Sequence, residues 1–287
     1  RRPAEGVGAD LDRLTLADAQ AWWRDYYGPD GTWLVLTGRF DADSAAALVR
    51  RTLGAVPRRV GKPMELAPPA EFAGPRHGVG EVTSPVPLLL VGWRTPSARA
   101  GSAPLVDAID RWLTRRKPSR LERTLLTDST DCLAVKAGLD LRRDAGLFYV
   151  AVAVRPGADS ASVEATVIDA VESLAARGFS DTDARSAARQ VEVETLFGWQ
   201  TSQGLGRAIG ESAVVEGDAA AGEVRLARVR QITAAELTET ARDVFNARHR
   251  VVVWMRSAPP AAPASATAPA TPAHRPPRPV SRARGGR

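Results

Sequence analysis

A stretch near the start of the chain recurs near its end at a fixed offset. Thr15 and Thr233, Arg24 and Arg242, Asp25 and Asp243, and Trp33 and Val251 each stand 218 positions apart. The correspondence runs without a gap from 14–36 to 232–254 and includes polar as well as apolar positions, so amphipathic spacing alone does not account for it. A fixed offset of this size marks a duplicated unit as large as a domain. The second unit begins near Arg76. On the same spacing the first would begin roughly 140 residues before Arg1. The expectation is therefore the C-terminal part of a longer protein. It would hold the end of a first α+β domain over 1–57, a linker over 58–75, a complete second α+β domain over 76–256 and a Pro/Ala/Arg-rich disordered tail over 257–287.

Composition narrows the class. The 287 residues are 44% hydrophobic, enough for a packed core. No apolar run is long enough for a membrane-spanning helix, and the chain reads as soluble, with cytoplasm and periplasm both open. The net charge of +6 is misleading: 257–287 carry five Arg and no Asp or Glu, leaving the rest near +1. A basic tail is poor grounds for a nucleic-acid-binding body. Cys132 is the single cysteine, so an internal disulfide and any multi-Cys metal site are excluded. Its apolar run, Cys132-Leu133-Ala134-Val135, suggests a buried inert thiol.

Periodicity and capping residues give the elements. Thr15 with Asp18 opens a helix that ends at Gly28-Pro29, 33–38 reads as a strand, and Asp41 caps a further helix. Beyond the Pro/Gly-rich 58–80, strands are expected at 80–83, 86–94, 133–141 and 147–155. Helices are expected at 103–116 and 159–177, then from Ser180 with Asp183 as its box partner, at 224–230, and at 233–246 with the Thr233/Glu236 box. Gly198 and Gly204 should bend the helix that starts at Ser180. The last strand is 250–255. This order implies an antiparallel-rich sheet covered by helices on one face, an α+β two-layer sandwich whose first copy is truncated.

Several words along the chain then resemble the insulinase/pitrilysin-like metallopeptidase family. They are Tyr26-Tyr27-Gly28-Pro29, Leu34-Val35-Leu36-Thr37-Gly38-Arg39-Phe40-Asp41, Ser119-Arg120-Leu121, Gly178-Phe179-Ser180 and Ile232-Thr233-Ala234, in the family's order. The resemblance covers about 1–256 and implies a zinc peptidase built from homologous domains, in agreement with the repeat. The family's zinc motif, H-x-x-E-H, puts two His one helical turn apart around a water-activating Glu. This chain lacks it: His77, His249 and His274 are scattered, and no second His lies within helical reach of any of them. No metal or catalytic residue is therefore assigned here, and zinc is expected only in the upstream part or in a partner chain. The family's second domain often carries an Arg and a Tyr, seven residues apart after S-R-L, that hold substrate carbonyls. Those positions fall here on Leu126 and Leu133, which cannot donate hydrogen bonds.

Other candidates are better read as structural. Tyr26 and Tyr27 beside Trp22 and Trp23 suggest packing. Arg115-Arg116-Lys117 suit a helix C-terminus. Asp181, Asp183, Glu192 and Glu194 suit a helix start and a solvated face. Gly204-Leu205-Gly206 follows no strand, which argues against a nucleotide site. The expectation is a non-catalytic C-terminal region of an insulinase-like peptidase homologue that forms one wall of a peptide-binding chamber. Its partners would be a peptide or unfolded protein and another domain or subunit of the family. Strand 86–94 or 133–141 would offer an edge to an extended peptide. The alternatives are an inactive partner subunit of a two-chain processing peptidase and a basic-tailed nucleic-acid or surface-binding module.

Overall fold

The structure, a computed structural model, describes residues 6–57, 74–115, 117–127 and 131–257. It opens with a short helix α1 (Gly8–Leu11), followed by α2 (Leu16–Tyr26) and α3 (Ala42–Thr52). The second unit starts with β1 (Arg76–Val82), β2 (Leu88–Thr95), α4 (Ala103–Thr114) and α5 (Arg120–Glu122), which continues into a π-helical turn, Arg123–Thr127. Strands β3 (Cys132–Asp140) and β4 (Gly146–Val154) form a hairpin. Helices α6 (Ser160–Arg177), α7 (Asp181–Gly198), α8 (Ser202–Glu211), α9 (Ala221–Val229) and α10 (Ala234–Val244) lead to the final strand β5 (Arg250–Ser257). The expected linker (bar its last residues) and the expected tail beyond Ser257 lie outside the described residues.

The duplication is visible in the local geometry. Helices α2 and α10 both have 11 residues, at the same 218-residue offset, and each opens on a reciprocal box. Thr15 Oγ1 accepts from the Asp18 N–H while the Asp18 carboxylate accepts from the Thr15 N–H; Thr233 and Glu236 repeat both bonds. Such caps satisfy two of the four amides that a helix start leaves without partners. Ser180 and Asp183 do the same for α7. The helix expected to bend near Gly198 is instead two helices. Helix α7 stops at Gly198, Thr201 caps α8, and a Cβ at Gly204 would strike the Gly198 carbonyl.

The sheet order is β1-β5-β2-β4-β3. Strand β5 is inner, parallel to β1 and antiparallel to β2, and the other pairs are antiparallel. Residues of alternating parity point to opposite faces. One face carries Leu89, Val91 and Trp93 of β2, Phe148, Val150 and Val152 of β4, and Val252 of β5, all fully buried. Helices α4, α6, α7 and α10 supply the opposing layer through Ile109, Val167, Ala187, Leu237 and their neighbours. Phe148 and Phe245 pack edge to face at 5.2 Å, with Trp93 about 6 Å from each. Burying each such side chain contributes roughly 1.5–3 kcal/mol.

Helix α6 is also fastened to this sheet by two carboxylates two turns apart. Glu172 accepts from the Trp93 indole at 2.9 Å and from Arg250 at 2.6 Å. Glu164 accepts from the Trp254 indole and pairs with His77, both at 2.9 Å. The indole N–H groups of buried Trp93 and partly buried Trp254 are thus satisfied where the rings enter the core.

Two expected elements differ. Residues 33–38 form no strand and belong to no sheet. A strand exists through its neighbours, and none of the described strands lies beside this segment. Strand β1 begins at Arg76, four residues before the expected start, so His77 stands in a strand and not in a linker. Gly78, in the Pro/Gly-rich stretch, and Gly80, at the expected strand start, pair with Val253 and Met255 in the parallel ladder, where a larger residue at Gly80 would meet the Met255 sulfur at 2.8 Å.

Candidate peptide-binding face

The second face of the sheet carries none of these helices. Strand alternation sends Leu88, Leu90 and Gly92 of β2 to this side, between Val251, Val253 and Met255 of β5 and Tyr149, Ala151 and Ala153 of β4. An antiparallel sheet that meets bulk water on one side normally alternates apolar-in with polar-out. Here the outer set is apolar, and Leu90 and Leu147 are 36% and 42% exposed. Charge is confined to the margins, at Arg76, Arg94, Lys136 and Asp140. Glycines keep the surface smooth. The Tyr149 ring lies over Gly138, where a Cβ would be 3.5 Å from its hydroxyl, and Leu147 lies over Gly92 at 3.0 Å. A continuous apolar surface of this kind marks a contact or binding face.

The sheet order decides between the two expected edges. Strand β2 is paired on both sides, so 86–94 cannot accept another strand; it is inner because β5 returns from 218 positions beyond its own counterpart to lie next to it. Strand β3 pairs with β4 alone among the described strands and leaves an edge along Cys132–Asp140. Beside it, between α4 and β3, lies a polar cavity of about 320 Å³. Its charges are largely paired: Arg111 with Asp107 at 3.0 Å and with Glu194, Arg115 with Glu194 at 3.0 Å, and Lys117 with Glu122. Asp110 in its wall is 5% exposed, and burial pushes its carboxyl up to about 6, with Asp107 adding to the rise against Arg111 and Arg115.

The structure places the sequence-derived candidates as follows. Leu126 sits in the π-helical turn, partly buried and packed against the core. Leu133 lies at a bulge near the start of β3 and is 45% exposed. The segment between them includes 128–130, outside the described residues. Cys132 is buried in the core. His77 is tied to Glu164, His249 lies in the turn before β5, and His274 is outside the described residues. Among the described residues no group of three or more His, Cys, Asp or Glu converges. With the one thiol in the core and the His77 imidazole engaged by a carboxylate, the donors present do not fit a zinc centre.

The glutamates expected on a solvated face turn out to join elements: Glu192 pairs with Arg189 and with Arg230 beyond α9, and Glu194 with Arg111 and Arg115 of the α4 region. Asp183, at the expected helix start, also accepts from the Trp112 indole at 3.0 Å. Of the aromatic residues expected to pack, Tyr26 is partly buried and lies 4.1 Å from the Trp22 ring, whereas Trp22, Trp23 and Tyr27 are more than half exposed. The open sheet face itself is not among the sequence expectations, although its signal is in the sequence: Leu88-Leu89-Leu90-Val91 is continuously apolar, as strands covered on both faces are.

Against this background the comparisons are specific. Residues 13–191 match the Peptidase M16 inactive domain, and the chain belongs to that family. An uncharacterised zinc protease of Mycobacterium leprae is 23% identical over 257 residues, 88% of this chain and 57% of the relative. The chain thus spans little more than half of that protein's length. A protease from Helicobacter pylori superposes with a TM-score of 0.79 at 14% identity, covering 88% of this chain and 61% of that one. A peptidase M16 inactive domain from Pseudomonas fluorescens gives 0.77 at 16%, covering 89% and 60%. The chain is an inactive C-terminal domain of the zinc-protease homologues that the resemblance to the insulinase-like family implied. No helix among the described residues is long and apolar enough to cross a membrane.

Proposed function

We propose that this chain forms one non-catalytic wall of a peptide-binding chamber, opposite a unit of the same family that carries the zinc. The observation that carries this reading is the open apolar sheet face bounded by β3, an edge strand among the described strands. An extended peptide can add to such an edge through main-chain hydrogen bonds while its side chains lie against apolar surface, which makes recognition tolerant of sequence. The domain division at 57/58, 75/76 and 256/257 belongs to the same reading: β1 begins at Arg76 and β5 ends at Ser257. Zinc and the water it activates would come from the pairing unit, and this wall would supply binding and orientation.

The test is peptide affinity of the chain in complex with an H-x-x-E-H unit of the family. Leu90→Glu places a charge in the middle of the face and should weaken binding of an unstructured peptide by about tenfold, the factor that 1.4 kcal/mol corresponds to. Glu81→Gln, on the opposite edge strand, should not. Equal affinity for the Leu90 variant and the parent would remove the face from the binding path.

A further inference from the structure

At one end of the sheet, where β2 stops, lies a cavity of about 460 Å³, in the size range of small-molecule sites. The turn into β5 forms one side, held against β2 by the Arg94 amide, which donates to the His249 carbonyl at 2.9 Å. The last turn of α10, the residues before α4 and the β3–β4 turn close the others. Residues 6–57 contribute none of its lining. Its floor is polar and buried: Thr95 and Thr240 are 3% and 6% exposed. Among the described residues the Thr95 hydroxyl has only a long 3.3 Å contact with the Pro96 carbonyl. The Thr240 hydroxyl has no hydrogen bond there at all, although Thr238 on the same helix bonds back to the Ala234 carbonyl at 2.8 Å. The Ser97 and Ser102 hydroxyls in the wall are likewise unbonded among the described residues, and Ser102 precedes α4 without capping it. A buried hydroxyl without a partner carries a desolvation cost that a polar ligand removes.

The mouth of the cavity carries both signs of charge. Arg248 and His249 line it together with Asp144 and Asp243. Among the described residues Asp144 pairs only with its neighbour Arg143, at 3.9 Å, and no ion pair joins Arg248 or His249 to Asp243. In the cavity beside β3, by contrast, Arg111 and Arg115 are both joined to Glu194. Opposite charges that line one cavity without pairing leave a gap that a molecule bearing both charges can span.

We propose that this cavity binds a small zwitterion, an α-amino acid or a dipeptide with both ends free. Its carboxylate pairs with Arg248 and His249, through charge-assisted hydrogen bonds. Its ammonium pairs with Asp243 at the C-terminal end of α10, where the helix dipole also favours a cation. The hydroxyls of Thr240, Ser97 and Ser102 bond the polar groups that remain. A ligand of one sign would meet like charge on part of the mouth, which selects against it. The site lies apart from the open sheet face and does not depend on the chamber reading.

Calorimetric titration of the intact chain with L-alanine and with L-alanyl-L-alanine tests this, and the one that binds tells the amino acid from the dipeptide. N-acetylation or C-terminal amidation of the binder should each weaken it about tenfold, the loss of one charge-assisted contact. Asp243→Asn should weaken the free ligand by a similar factor and leave the N-acetylated form unchanged. Arg248→Gln should do the same for the free ligand and leave the amide unchanged. Thr240→Val keeps the shape of the side chain and should weaken binding roughly threefold, while the Tm of the unliganded chain stays the same or rises. Absence of binding by both probes, equal affinity for free and capped forms, or a lower Tm for Thr240→Val would each overturn the proposal.

Discussion

On α4, Asp110 receives a long 3.4 Å hydrogen bond from Thr114, and Arg111 Nε stands 3.9 Å away. Burial lifts its pKa from 3.8 to about 6, so the folded state holds a proton that the unfolded chain has released between those values. In that window the folded state binds more protons, and stability falls as pH rises from about 4 to 6, then levels off. Asp110→Asn should flatten this decline and raise the pH 7 stability by about 2 kcal/mol, read as a higher Tm at pH 7 with little change at pH 4. A variant less stable at pH 7 than the parent would show that the carboxylate is better paired than its geometry indicates. Phe148→Ala, at the centre of the aromatic group, should cost roughly 3–5 kcal/mol in a denaturant titration. The capping pairs at this scale are legible in the sequence because each needs only two side chains at fixed spacing, as at Ser180/Asp183. The inter-element partners of Glu192 and Glu194 are not, because Arg230 and Arg111 become neighbours only after the helices have packed.

Among elements, the repeated helix and the second-unit strands can be read from period and caps, but neither the sheet order nor the pairing state of any strand can. Residues 33–38 have the composition of a strand and no strand beside them among the described residues, whereas β1 contains two glycines and is a strand because β5 lies beside it. Long-range pairing overrides local preference in both directions. The family's carbonyl-holding positions divide in the same way. Leu126 packs against the core, so Leu126→Arg should cost about 1–3 kcal/mol by stranding a charge in an apolar setting. Leu133→Tyr, on the exposed bulge, should be close to neutral. Thermal melts of the two single variants test this, and equal losses would mean that Leu126 is not in the core-facing turn.

For the whole molecule, the repeat marks a duplicated domain-sized unit, and residues 13–191 match the Peptidase M16 inactive domain. The open sheet face adds a physical reason for a wall: apolar surface on the far side of a sheet is stabilised by what covers it. The most direct test of that account is hydrolysis of an unstructured peptide, with zinc content measured on the same samples. The chain alone should hold far less than one zinc and cleave nothing. Adding it to an H-x-x-E-H unit of the family should raise metal-dependent turnover, and Leu90→Glu should reduce the gain. Chelator-sensitive cleavage by the unmodified chain alone, with a full equivalent of zinc, would contradict the account.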